Sequence, residues 1–286
     1  MSRAAVLGHP VGHSLSPVLH RAAYAELGLD WTYEAIDVDE HELAGFVASC
    51  GPEWGGLSLT MPLKQTILGL LDHVEPLAEV VGAVNTVLFQ PGGSRATLVG
   101  ANTDVYGIVA ALQEAGVASG DAPARGVVFG AGATAASALA ALGQLGITSP
   151  AVHVRSLART GTLRRAAHRM GVEPTFHQMD AALPAILAAD VVVSTLPAHA
   201  ADPLAEQLVA AAPERLGVLL DVVYDPRPSA LRAAWAPVGA VAGGERMLLH
   251  QAAEQVRLMT GRTAPVGAMS AALDAALEGP RTADAV

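Results

Sequence analysis

A short apolar run, Val127-Val128-Phe129, ends directly in Gly130-Ala131-Gly132-Ala133-Thr134-Ala135, and a helical pattern follows to about residue 145. This strand–turn–helix has the form G-x-G-x-x-G/A, and it constrains the fold more than any other feature of the chain. The first glycine permits a tight turn. The second lets a backbone approach a pyrophosphate, and the small sixth residue lets helix and strand pack closely. The helix N-terminus adds N–H donors and the positive end of its dipole. In a chain rich in Ala and Gly, a plain tight turn is the competing reading. A further strand pattern at 152–154 completes a strand–turn–helix–strand unit, and that context favours a dinucleotide.

The end of that next strand selects among dinucleotides. NAD binders carry Asp or Glu there to accept from the ribose hydroxyls. Here Val154 is followed by Arg155 and Ser156, with Arg159 and Arg164-Arg165 beyond and no carboxylate. A planar guanidinium at Arg155 suits a 2′-phosphate and stacks on adenine. A solvated basic turn is the bland alternative. The missing acid, together with the arginine, favours NADP.

A chain of 286 residues fits two modest domains. Strand patterns fall at 3–8, 31–38 and 56–60, and helical patterns at 41–49 and from Ser16-Pro17 to near Gly28. Ser16 is expected to cap that first helix, with Pro17 at its first position. Residues 83–89 and 96–100 read as a strand pair joined through Pro91-Gly92-Gly93-Ser94. A helix is expected from Asp104 to about Gly116, and then a loop over 117–125. Beyond the glycine turn come a helix at 163–170, strands at 190–195 and 218–223, and a helix at 246–260 that could return to the first domain. The tail from Gly279 reads as disordered.

Strands alternating with helices imply parallel sheets covered on both faces. The expected fold is α/β, with an N-terminal α/β substrate domain, a Rossmann-type NADP-binding domain and a cleft between them. Residues 1–104 plus 245–286 are assigned to the first domain and 105–244 to the second.

Composition narrows the function further. Apolar residues make up 51% of the chain, enough for sizeable cores. The single cysteine, Cys50, precludes an intramolecular disulfide framework and suits a reducing cytoplasm. A formal charge of -10 argues against binding nucleic acid or an anionic membrane. No apolar run approaches the ~20 residues of a membrane span, and the first residues lack a signal-peptide pattern. The expected partner is a small molecule, and the sequence leaves a homodimer open. His9, His13 and His20 lack regular ligand spacing and a matching carboxylate. They read as structural or loop histidines, with no metal expected.

Of the 17 basic residues, 16 are arginine and one is Lys64. A retained lysine supplies a compact amine that exchanges a proton, unless it is a chance survivor on a surface helix. Its surroundings favour chemistry. In Ser58-Leu59-Thr60-Met61-Pro62-Leu63-Lys64 a strand ends at Thr60, and Pro62 starts a helical turn that presents the lysine. Val84-Asn85-Thr86 puts a polar pair into a strand pattern. Asn102-Thr103-Asp104 precedes a helix, which Asp104 either caps or leaves in order to hold the Lys64 ammonium. Ser14 and Ser16 sit in a cluster of small and polar residues and suit a polyhydroxylated or carboxylate ligand.

Six separated motifs then fall in one order. They are the run from Gly8 to Pro17, the Thr60/Pro62/Lys64 cluster, Gly82-Ala83-Val84-Asn85-Thr86, Asn102-Thr103-Asp104, the Gly130 turn, and Gly244 with Met247-Leu248-Leu249-His250-Gln251-Ala252. Over about residues 6–261 the chain resembles the shikimate dehydrogenase family. The resemblance implies reversible NADPH-dependent reduction of 3-dehydroshikimate to shikimate, in aromatic amino-acid biosynthesis.

By position it implies that Ser14 and Ser16 bind the substrate carboxylate, and that Thr60, Asn85, Asp104 and Gln251 bind the ring hydroxyls. Lys64 and Asp104 would form the catalytic pair, and Tyr224 would reach the substrate. Arg155, Ser156 and Arg159 would read the 2′-phosphate, while Thr195, Gly244 and Met247 would line the nicotinamide. Ala133 departs from a glycine common in the family. Val154 and Ser156 replace the Asn and Thr of an Asn-Arg-Thr segment, which removes one adenosine contact and keeps another.

Two rival readings stand beside this one. A quinate/shikimate dehydrogenase preferring NAD is disfavoured by Arg155, the missing acid and the two serines. A non-catalytic NADP-binding protein of the same fold is disfavoured by the intact Lys64/Asp104 pair.

Overall fold

The computed structural model describes residues 2–92, 95–120 and 124–278. Parts of the expected turn at Gly93-Ser94 and of the loop over 117–125, and the tail from Gly279, lie outside the described residues. The chain begins with β1 (Ser2–Gly8), α1 (Ser16–Glu26), β2 (Trp31–Asp37), α2 (Leu43–Ser49) and β3 (Trp54–Leu59). It continues through α3 (Leu63–Thr66), β4 (His73–Val74), α4 (Pro76–Val81), β5 (Thr86–Gln90), β6 (Thr97–Ala101) and α5 (Asp104–Glu114). A second series follows, with β7 (Gly126–Phe129), α6 (Ala133–Gln144), β8 (Ala151–Val154), α7 (Gly161–Met170), β9 (Thr175–Gln178) and α8 (Ala182–Leu187). Then come β10 (Val191–Ser194), α9 (Asp202–Ala211), β11 (Val218–Asp221), α10 (Ala230–Trp235) and β12 (Val241–Gly243). The described residues end with α11 (Gly244–Thr260) and α12 (Val266–Glu278).

These strands form two six-stranded sheets. The second has the order β12-β11-β10-β7-β8-β9, and all its pairs are parallel. Its order reverses between β7 and β10, and such a switch opens a crevice at the carboxyl ends of the strands. The first sheet has the order β2-β1-β3-β5-β6-β4 and is mixed, because β5 runs antiparallel to both β3 and β6. The expected strand pair over 83–89 and 96–100 is the β5–β6 hairpin, set into a sheet whose β1–β2, β1–β3 and β4–β6 pairs are parallel. The β5–β6 connection is too short for a crossover, so that pair can only be antiparallel.

Burial explains the strand compositions. Every residue of β7 and β10 is buried, so Val191-Val192-Val193 is apolar without alternation. On one face of this sheet Val128, Val193 and Val152 pack with Leu139 of the alanine-rich α6. On the other, Phe129 and Val192 pack with Leu204 and Trp235. The first sheet is likewise covered twice. Leu57, Leu63 and Val87 fill one side, while Val6, Leu19, Leu249 and Leu273 fill the other. The last helices thus come back to pack beside α1, and α5 packs against both α6 and α11.

Candidate active site

In the first sheet the carboxyl ends of β1, β3 and β6 and the amino end of β5 share one edge, through the pairs Leu7↔Leu59, Ser58↔Thr86 and Thr86↔Ala101. A Cβ on Gly8 would lie 2.3 Å from Thr60 Cγ2, so only glycine lets the end of β1 approach Thr60 this closely. The chain then turns through Val11–Ser14, where the Ser14 N–H donates to the Val11 carbonyl at 2.9 Å.

Ser16 does not cap α1. Leu15 holds the cap position, and Ser16 is the first helical residue. Ser14 Oγ accepts from the Ser16 N–H at 3.3 Å instead. The reason is local: a hydroxyl two residues upstream reaches that N–H, which frees the Ser16 side chain. Asp104 is not a cap either. Thr103 holds that position in α5, and Asn102 Oδ1 accepts from the Val105 N–H at 3.2 Å.

The Asp104 carboxylate is thereby left for other partners. Its Oδ2 accepts from Lys64 Nζ at 2.5 Å, and its Oδ1 accepts from Asn85 Nδ2 at 2.8 Å. The two charged side chains are 14% and 4% exposed, so the ion pair is largely screened from water but open on the lysine side. Asn85 is held the right way round because its Oδ1 accepts the Thr103 N–H at 2.8 Å. Its Nδ2 also reaches Gln251 Oε1, at 3.3 Å.

These groups line a cavity of about 330 Å³. Ser14, Ser16 and Thr60 stand on its walls with Lys64, Asn85 and Asp104. Tyr224 and Gln251 complete the set expected to touch a substrate. Burial and the neighbouring Asp225 carboxylate push the Tyr224 phenol's pKa up, so it stays a neutral donor near neutral pH. His13 is exposed and also lines the cavity, whereas His20 is fully buried and His9 meets Asp37 at 2.5 Å on the surface. Burial drives the His20 pKa down to about 3. Among the described residues, no group of three His, Cys, Asp or Glu could hold a metal ion.

The sequence pattern gave no role to Gln255, Ser58 or Tyr33, which form a buried polar web; Ser58 and Gln255 reach the cavity wall and Tyr33 lies behind them. The Tyr33 hydroxyl donates to Ser58 Oγ at 2.6 Å, and Ser58 donates to Gln255 Oε1 at 2.8 Å. Gln255 Nε2 donates to Thr86 Oγ1 at 3.0 Å and to the Asn85 carbonyl at 3.1 Å. His20 stacks on Tyr33 with ring centroids 3.9 Å apart. The available signal was Gln251 and Gln255, four apart and so on one face of a helix.

The glycine turn and Thr195 lie at the switch point of the second sheet, at the ends of β7 and β10. Gly130 has φ +109, and a Cβ there would lie 2.4 Å from Thr195 Oγ1, so the position requires glycine. Thr195 Oγ1 donates to the Phe129 carbonyl at 2.6 Å and ties the ends of β7 and β10 together. The turn Gly130-Ala131-Gly132 leads into α6, whose first residues Ala133, Thr134 and Ala135 present N–H groups without intrahelical partners. A Cβ at Gly132 would meet nothing within 4 Å, which leaves room for a pyrophosphate. Ala133 is the first residue of α6, so its methyl does not disturb the turn.

Thr134, Gly244 and Met247 line the same cavity as Lys64, whereas Arg155, Ser156 and Arg159 lie outside it. They follow β8, whose His153 pairs with Phe129. The Arg155 and Arg159 side chains are exposed and make no hydrogen bond or ion pair with a described residue, which leaves both guanidinium groups available to a phosphate.

Comparison with known proteins identifies the family. The family model for the shikimate dehydrogenase substrate binding domain matches residues 6–87. That for the shikimate 5'-dehydrogenase C-terminal domain matches residues 244–273. The chain is 37% identical over 280 residues to a Rubrobacter xylanophilus protein named shikimate dehydrogenase (NADP(+)), covering 95% of each. The crystal structure of Mycobacterium tuberculosis shikimate dehydrogenase superposes with a TM-score of 0.84 at 41% identity, covering 96% of this chain and 100% of that one. A quinate dehydrogenase from Corynebacterium glutamicum, solved in complex with NAD, gives 0.82 at 27% identity, covering 96% and 99%.

Proposed function

The chain belongs to the shikimate dehydrogenase family, and on that premise we propose that its cavity carries out the NADP-dependent interconversion of 3-dehydroshikimate and shikimate. It is an oxidoreductase acting on a CH–OH group, and its reaction belongs to aromatic amino-acid biosynthesis. One observation carries the site assignment: a single cavity is lined both by the Lys64–Asp104 pair and by Thr134, at the start of the helix that follows the glycine turn. A dinucleotide on the turn would therefore have its reactive end beside the lysine.

NADPH, when bound, supplies the hydride that reduces the ketone carbon. The chain's own residues handle the oxygen and the fit. Lys64 donates a hydrogen bond to the ketone oxygen as negative charge grows there, and then the proton. Asp104 holds the ammonium in position at 2.5 Å. Ser14 and Ser16 take the substrate carboxylate, while Thr60, Asn85, Asp104 and Gln251 take ring hydroxyls. Tyr224 reaches the substrate from the second sheet. The backbone from Gly130 to Ala135 cradles the pyrophosphate. Arg155, Ser156 and Arg159 take the 2′-phosphate, and Thr195, Gly244 and Met247 flank the nicotinamide.

The domain assignment is part of the same proposal, with 1–104 plus 245–286 on the substrate side and 105–244 on the nucleotide side. It is supported by the spans of the two sheets and by the packing of α11 and α12 beside α1. The single cysteine supports a reducing, cytoplasmic location. No helix among the described residues is long and apolar enough to cross a membrane.

The likeness to an NAD-bound quinate dehydrogenase favours one alternative, NAD with quinate. The absence of a carboxylate after Val154 and the free Arg155 oppose it. An absorbance assay of shikimate and quinate, each with NADP and with NAD, decides between them. Shikimate with NADP should be fastest by a wide margin. No NADP-dependent signal with shikimate would overturn the proposal, and faster turnover of quinate with NAD would establish the alternative.

A further inference from the structure

Shikimate is an anion, and the cavity around it carries little net charge. Among the lining residues only Lys64, Asp104 and His13 are acidic or basic side chains. Lys64 is committed to Asp104 at 2.5 Å, so the pair contributes no net charge. Ser14 and Ser16 offer neutral hydroxyls, and the whole chain is at -10, which repels an anion at long range. What compensates the substrate carboxylate is therefore unassigned by the catalytic pair and the serines.

The geometry points to His13 as a charge-bearing specificity residue for that carboxylate. This rests on the function proposed above. The loop that carries His13 is held at both ends. The Val11 N–H donates to Asp37 Oδ2 at 3.2 Å, the Val38 N–H donates to the Gly8 carbonyl at 3.0 Å, and the Ser14 N–H closes the turn onto the Val11 carbonyl at 2.9 Å. Gly12 and His13 occupy the corner of that turn, which sets the imidazole at the cavity mouth directly before Ser14. As an imidazolium it would add a charge-assisted hydrogen bond to the two neutral ones, and such bonds are roughly twice as strong as neutral ones.

The test compares wild type, His13→Gln and His13→Arg, with shikimate and with its uncharged methyl ester. Turnover and calorimetric binding are both read. His13→Gln should raise the shikimate KM and Kd by about three- to tenfold, with kcat and the NADP KM moving less. His13→Arg should keep tight binding, and the ester should bind wild type and His13→Gln alike. An unchanged shikimate Kd in His13→Gln, or an equal loss with the ester, overturns the role of His13. Wild type that binds shikimate without turning it over overturns the proposed function but leaves the His13 ratios readable. Wild type that does neither overturns both.

Discussion

Lysine rather than arginine at position 64 has a chemical consequence. Both cations stabilise a growing negative charge, but guanidinium does not release a proton near neutral pH. Lys64→Arg is expected to lower kcat by at least about a hundredfold while NADPH binding, measured by fluorescence titration, stays near wild type. Near-normal turnover would remove Lys64 from the proton step. His20 gives a second expectation at this scale. Its folded pKa is about 3 against 6.5 in the unfolded chain, so it takes up a proton more readily when unfolded. Stability is therefore intact above 6.5 and declines as pH falls from there towards 3, by about 2 kcal/mol at pH 5. Denaturant midpoints at pH 7 and pH 5 should differ less in a folded His20→Gln variant than in wild type. An equal difference would show that His20 is not the group responsible.

At the scale of elements, α5 and α11 join the two halves of the molecule. α5 starts at Asp104, and α11 carries Met247 and Gln251. Outside the cavity lining, Glu114 at the end of α5 accepts from Arg246 Nε and Nη2, both at 2.8 Å. His250 Nε2 also lies 2.8 Å from it. The Arg246 hydrogen bonds foremost hold the Glu114 carboxyl below its ordinary 4.5. A lowered folded pKa means stability that is present above 4.5 and lost as pH falls through the folded value. Glu114→Gln should therefore lower Tm by a few degrees at pH 7, and the gap from wild type should close as pH falls through the lowered folded value and the carboxylate is protonated. A gap that persists at low pH would mean that shape, not charge, makes the contact.

At the scale of the whole molecule, an acidic body carries a local basic strip. Arg155, Arg159, Arg164 and Arg165 fall within a few residues of one another on a chain of net charge -10. Arg155 and Arg159 are exposed, and added salt screens exposed charges beyond about 10 Å at 0.1 M ionic strength. The KM for NADPH should rise several-fold between about 20 and 500 mM salt, and Arg155→Gln should remove most of that slope. The same variant should narrow the preference for NADPH over NADH. A slope unchanged by Arg155→Gln would move the phosphate contact elsewhere.

Much of this was legible in the order of residues. The glycine turn at Gly130 announced a dinucleotide because its spacing between a strand and a helix is local; the structure adds that φ +109 and contact with Thr195 leave no room for a side chain there. The missing acid after Val154 and the sole lysine at 64 were equally local, since each depends on one residue's chemistry rather than on its neighbours in space. Other points were decided only by folding. Ser16 read as a cap and Asp104 could have been one, because both residue types favour that position. In the structure Ser14 accepts the Ser16 N–H and Asn102 accepts the Val105 N–H, which leaves Ser16 and Asp104 to the cavity. The web through Tyr33, Ser58 and Gln255 depends on contacts up to 197 residues apart. No periodicity encodes such partners. A propensity belongs to a short stretch of chain, whereas the partner of a buried hydroxyl or carboxylate is set by what the fold brings beside it.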